Sequence, residues 1–270
     1  MMINKKYQLI WFQHFHKAAG TSIVDLARAN NETFWPNHEN GNPKDNNGNF
    51  IELWKYSQDK LKQFIDQCEK QGVTFVATEW GLPDVTFIGK DDRIILITCL
   101  RQPLSRLVSN FYYDLYYGYT QAKKIEDYIA TSGETFTMFN YYSRILSGHD
   151  NNSEDVTEAL FLKAKKALNE FDLCLIMEHG FFNLKTELNW TITQRHSNRL
   201  DLNIKEALLL MKQGKMKDLF YRILYRKKKL DSEFLNYFNA GNFWDIQLYD
   251  EIEKRKKVIL NQTATMYADF

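Results

Sequence analysis

The sequence predicts an α/β fold, a three-layer sandwich in which a central parallel sheet is flanked by helices. Three observations carry that expectation. An apolar and aromatic run around Trp11 and Phe12 leads through a short loop straight into an amphipathic stretch. A second run, residues 93–100, is continuously apolar between charged neighbours, as in a strand buried on both faces, and is again followed at once by a helical pattern. Further along, strand and helix patterns keep alternating, which favours parallel strands joined by crossover helices. With 270 residues, 44% of them hydrophobic, the chain can bury one substantial core. Residues 1–270 are therefore read as a single domain, with a charged helical segment at about 203–237.

The first strand-to-helix turn is His16-Lys17-Ala18-Ala19-Gly20-Thr21-Ser22, and Ile23, Leu26 and Ala27 begin the apolar face of the helix after it. Such a turn aims several backbone N–H groups and the positive end of a helix at one spot, which suits an anion. Gly20 allows close backbone approach, Lys17 adds a full charge, and Thr21 and Ser22 add hydroxyl donors. The order is not that of a Walker A loop, in which the lysine directly precedes the hydroxyl residue; here Lys17 comes three residues before Gly20. The chemistry expected is the handling of a phosphate or sulfate group.

The second turn follows residues 93–100 and begins Arg101-Gln102-Pro103-Leu104-Ser105-Arg106. Pro103 suits the first turn of a helix whose apolar face is Leu104, Leu107, Val108, Phe111 and Leu115. Ser105 and Ser109, four apart, fall on another face in line with Arg101. An arginine at the carboxyl end of a parallel strand, with serines on the next helix, makes a second anion pocket. Two such pockets on one sheet fit a nucleotide with phosphates at both ends.

These two segments resemble the sulfotransferases that use 3′-phosphoadenosine 5′-phosphosulfate (PAPS). Residues 16–22 look like the family's 5′-phosphosulfate loop, and residues 101–109 like its 3′-phosphate motif, R-[DQ]-P-x-x-R-x-x-S. The resemblance continues in the same order through residues 140–148, 171–178, 191–198 and 242–249, the last two being similar to the heparan-sulfate 6-O-sulfotransferase branch. The resemblance implies a P-loop-like fold. It also implies that Lys17, Ala18, Ala19, Gly20, Thr21 and Ser22 hold the phosphosulfate, and that Arg101 and Ser109 hold the 3′-phosphate. Arg195, Ser197 and Asn198 would belong to a loop closing over the nucleotide, with one residue more than the family pattern. PAPS would be the donor, 3′-phosphoadenosine 5′-phosphate (PAP) the product, and no metal would be required. The acceptor would be a hydroxyl on a sugar or small natural product.

Sulfuryl transfer is an in-line displacement that needs a base for the acceptor proton and a cation at the leaving phosphate, the latter falling to Lys17. The 6-O branch has a histidine just after its second core strand, but here residues 73–77 are followed by Thr78-Glu79-Trp80. Glu79 stands in the base position, and other branches of the family use a glutamate. Beside Trp80 in a closed pocket, its carboxyl is expected to have a raised pKa. His16, next to Lys17, competes for the role. His14 shares the strand side of His16 and equally fits a structural histidine. The two histidines lack a third ligand at metal-site spacing.

A net charge of +1 argues against a protein that coats nucleic acid. The one concentrated basic run, Arg222 with residues 226–229, reads as a solvated helix face or as a contact for a polyanion. Three cysteines, Cys68, Cys99 and Cys174, read as buried thiols rather than a disulfide frame. No apolar run of about 20 residues suggests a membrane span, and the anion loop lies close behind Met1, so a cytoplasmic location is expected. A nucleotide kinase-like P-loop enzyme and a non-catalytic sugar- or polyanion-binding protein on the same fold are the alternatives.

Overall fold

The computed structural model describes residues 7–149, 154–192, 204–216, 219–220, 223 and 230–268. Its centre is a four-stranded, all-parallel sheet in the order β4-β1-β5-β6, formed by β1 (Leu9–Gln13), β4 (Phe75–Thr78), β5 (Ile94–Leu100) and β6 (Leu173–Ile176). The two short strands β2 (His38–Glu39) and β3 (Asn42–Pro43) pair antiparallel as a hairpin in a segment dense in turn-forming residues. β1 is flanked on both sides, with Gln13 opposite Thr78 of β4 and opposite Thr98 of β5.

Each strand buries both faces, which explains the continuous apolar runs. Leu9, Trp11, Val76, Leu96 and Ile176 look to one side. There they meet α2 (Gln58–Gln71), α3 (Val85–Ile88), α6 (Tyr141–Ser147), α7 (Glu158–Leu168) and α11 (Phe243–Ala268). Ile10, Phe12, Phe75, Ala77, Ile97 and Cys99 look to the other side, onto α1 (Gly20–Ala29) and α8 (Phe182–Leu188). The result is a three-layer α/β sandwich. A third apolar cluster joins α4 (Pro103–Tyr117), α5 (Ile125–Thr131) and α10 (Ser232–Gly241) through Phe111, Leu115, Tyr128 and Phe238. Between α8 and α10 lies α9 (Ile204–Lys212).

Local chemistry sets the helix limits. Pro103 opens α4, the Gln102 side chain accepts from the Ser105 N–H, and Gly118 closes the helix in the left-handed conformation. Leu53–Lys55 form a separate 3₁₀ turn, and α2 starts after it because Ser57 caps it by accepting from the Lys60 N–H. Among the described residues no helix is long and apolar enough to cross a membrane.

The ends of α6 and α11 cap each other. Asp245, in the first turn of α11, accepts from the Tyr142 and Ser143 N–H groups at 2.8 Å each and from the Ser143 hydroxyl. In return the Asn140 side-chain oxygen accepts from the N–H groups of Trp244 and Asp245, at 3.0 and 3.2 Å. The Asn140 N–H donates to Asn242 Oδ1. The orphan donors at two helix starts are thus satisfied by side chains about a hundred positions away.

Candidate functional site

β1 lies at the point where the chain turns to opposite sides of the sheet, and open α/β sheets form their crevice at the carboxyl ends of strands there. The residues after β1 occupy that crevice. Lys17 and Ala19 have φ of 61° and 65°, left-handed conformations that cost a non-glycine residue roughly 1 kcal/mol or more each. Gly20 then starts α1, so the first N–H groups of the helix follow directly on this left-handed turn. Ala19 is the N-cap, with no side-chain hydrogen bond and no acidic residue in the first turn. The start of α1 therefore faces a cavity of about 320 Å³ lined by Lys17, Ala19, Gly20, Thr21 and Ser22. Ala18 is buried beneath the loop. Gly20 is required by its neighbour, since a Cβ there would lie 1.8 Å from Nε2 of His14.

Lys17 holds its ammonium 3.7 Å from the centre of the Tyr113 ring. Burial lowers its pKa to about 8, and the Arg101 charge acts in the same direction against the pull of Asp114 and Glu79.

Arg101 follows β5 directly and lines the cavity with Ser109. Its guanidinium donates to the Lys17 carbonyl at 3.3 Å, so the two turns are tied together. Burial pulls the guanidinium below its usual pKa. Of the two serines on α4, Ser109 lines the cavity. Two adjacent tyrosines of α6 fix the loops from below. Tyr141 Oη accepts from the His16 N–H at 3.0 Å, while Tyr142 Oη accepts from the Arg101 N–H at 3.0 Å and donates to the Arg101 carbonyl at 2.8 Å. Arg106, the second arginine of the segment, is buried over the Tyr141 ring and donates to the Phe136 carbonyl at 2.8 Å. It supports the tyrosines and does not line the cavity.

Glu79 follows β4 directly and meets both histidines. Its Oε1 lies 3.0 Å from His16 Nδ1 in hydrogen-bond geometry. Its Oε2 lies 3.2 Å from His14 Nδ1, an ion-pair distance without the alignment of a hydrogen bond. Burial opposes ionisation of Glu79, but the charge of the two histidines and the hydrogen bond to His16 outweigh it and hold the carboxyl well below the usual carboxylate range. This corrects the expectation of a raised pKa, which took account of the pocket and Trp80 but not of two imidazoles at the carboxylate. Trp80 is 47% exposed and does not enclose Glu79. A carboxylate that stays ionised only accepts hydrogen bonds, so at this contact the Nδ1 of His16 is the donor. Glu79 thus fixes the orientation of the His16 ring.

A second cavity, about 660 Å³, adjoins the first, and both are lined by His16, Glu39, Trp80 and Tyr113. The β2–β3 hairpin contributes Glu39 to both and Asn40 to the first. His16 stands at the junction.

The structure thus brings Lys17, Ala19, Gly20, Thr21, Ser22, Arg101 and Ser109 to one cavity with His16 and Glu79. Arg195, Ser197 and Asn198 lie outside the described residues, as do Arg222 and residues 226–229. Sequence reasoning missed Tyr113, Tyr141 and Tyr142. Their only local signal is the abundance of tyrosine on two helices, which does not distinguish core from site. No protein-family model matches the chain, and no curated protein matches it.

Proposed function

We propose that this protein is a cytoplasmic O-sulfotransferase that moves a sulfuryl group from PAPS to a hydroxyl of a sugar or small natural product. The observation that carries the reading is the joining of two anion cradles in one cavity. An uncapped helix start with Lys17 faces Arg101 and Ser109, and the Arg101 guanidinium is bonded to the Lys17 carbonyl. A nucleotide with phosphates at both ends fits that pair better than one with a single phosphate chain. The three cysteines form no disulfide, in keeping with a reducing compartment.

On this reading the phosphosulfate lies against the N–H groups of Gly20, Thr21 and Ser22 with Lys17 beside it, and the 3′-phosphate against Arg101 and Ser109. The acceptor oxygen attacks sulfur, and its bond to sulfur forms as the bond from sulfur to the bridging oxygen breaks. The electron pair leaves with the bisphosphate product, where Lys17 and the α1 N-terminus meet the developing charge. The acceptor proton passes to Nε2 of His16, and Glu79 holds the resulting imidazolium.

The test is calorimetric titration with PAP, ATP and AMP without added metal. Micromolar binding of PAP alone, lost in Lys17→Ala and in Arg101→Ala, supports both cradles and justifies an acceptor screen with PAPS. A preference for ATP with Mg²⁺ would return the chain to the kinase-like alternative, and no nucleotide binding would leave the binding-protein alternative.

A further inference from the structure

The balance of charge changes across His16. On the Lys17 side the cavity carries both signs, Lys17 and Arg101 against Glu39 and Glu79. On the other side, among the described residues, the charged walls of the larger cavity are Glu39, Asp114 and Glu134, with no lysine or arginine. Glu39 is paired with Lys44 at 2.5 Å. Asp114 is buried and accepts from the Tyr128 hydroxyl, which in turn accepts from Asn110 Nδ2 at 2.6 Å. Glu134 is exposed. The remaining surface is aromatic and hydroxylic. Tyr113 and Tyr119 line it beside Tyr117, with Tyr113 and Tyr117 centred 4.7 Å apart, and Phe136 lies 4.7 Å from the His16 ring.

We infer that this larger cavity is the acceptor site and that its acceptor is a polyol bearing an ammonium group, an amino sugar or aminocyclitol, and not an anionic glycan. The inference rests on the reading of the neighbouring cavity as the phosphosulfate site. Tyrosine and tryptophan faces attract a cation and stack on the apolar face of a sugar ring. Glu134 supplies a counter-charge, whereas a sulfated or carboxylated acceptor would bring like charges together in a partly water-excluded space. The hydroxyls and amides of Thr120, Gln121, Thr131 and Ser132 suit further polyol oxygens.

The test titrates the full chain, saturated with PAP at mildly acidic pH, with one glucosamine tetramer in three forms: free amine, N-acetylated and N-sulfated. The free amine is expected to bind about tenfold or more tighter than the N-acetylated form, the scale of one hydrogen-bonded charge. The N-sulfated form is expected to bind weakest. Glu134→Gln should erase most of that preference and leave PAP affinity unchanged. Equal affinities, a preference for the N-sulfated form, no binding of the free amine at millimolar concentration, or a preference intact in Glu134→Gln would overturn the inference. A protein that fails to bind PAP overturns the sulfotransferase reading instead, and the same titrations without PAP then decide the charge preference of the cavity on its own.

Discussion

At the level of single residues, the site turns on which member of the His16–Glu79 pair takes the proton. The depressed carboxyl of Glu79 is ionised at neutral pH and is a weak proton acceptor, so on the proposed reading the base falls to His16, which Glu79 holds through the Nδ1–Oε1 contact. His16→Ala is therefore expected to lower kcat by about 10²–10⁴-fold, the usual share of a positioned base. Glu79→Gln should lower it by about 10–100-fold through loss of orientation. Both variants should keep PAP affinity, and Glu79→Asp should recover part of the rate. An unchanged kcat in His16→Ala would remove it from the reaction. Lys17 gives a separate pH signature. Its pKa near 8 lies below its ordinary value of 10.5, so the free protein sheds that proton as pH rises through about 8. Anion affinity should be flat below that point and fall above it by up to about tenfold per pH unit, while Lys17→Arg should bind without the decline. The unfolded chain keeps its proton to higher pH, so burial of this ammonium weakens folding near neutrality, and that penalty fades between about 8 and 10.5. Titrating PAP affinity from acid to alkaline pH checks the sign. His16, Lys17 and Glu79 were all legible as candidates in the sequence. Their division of labour was not, because it follows from β1 and β4 pairing Gln13 with Thr78, which sets His14 beside Glu79.

At the level of elements, the strands and the two strand-to-helix turns were readable because their signals are local: apolar runs, Gly20, and Pro103 at the first position of α4. The link between α6 and α11 was not. Residues 140–148 and 242–249 stood out as separate segments, and neither reveals that Asn140 and Asp245 cap one another's helices. That coupling matters for the site, since α6 carries the tyrosines that pin His16 and Arg101. Asp245→Ala strips acceptors from two buried N–H groups and one hydroxyl. The cost expected is about 2–4 kcal/mol, above that of a surface cap, because the donors have no water to turn to. Chemical denaturation of the variant measures it. PAP affinity should also weaken at temperatures where the variant stays folded, because both loops lose their common support. A loss of stability with undiminished PAP affinity would show that the tyrosines hold the loops without the helix pair.

At the level of the whole molecule, three features of the chain path converge at the carboxyl ends of three adjacent strands: the turn after β1, Glu79 after β4, and Arg101 after β5. A bisphosphate that touches the first and third would bind the folded state only, since the unfolded chain separates Lys17 from Arg101 by more than eighty positions. Mass action then stabilises the fold by about 2.7 kcal/mol at a PAP concentration 100 times its Kd. For a chain of this size that corresponds to a rise in Tm of roughly 5–10 °C. AMP at the same concentration reaches only one cradle and should raise Tm by less. Tyr142→Phe frees the Arg101 backbone and should shrink the difference between PAP and AMP more than it shrinks the AMP shift itself, because Tyr142 anchors the Arg101 turn. Thermal melts of the two proteins with each nucleotide separate the possibilities. Equal shifts for PAP and AMP in the unsubstituted protein would mean that Arg101 and Ser109 hold no phosphate, and that the second turn serves the fold by tying down the Lys17 carbonyl alone.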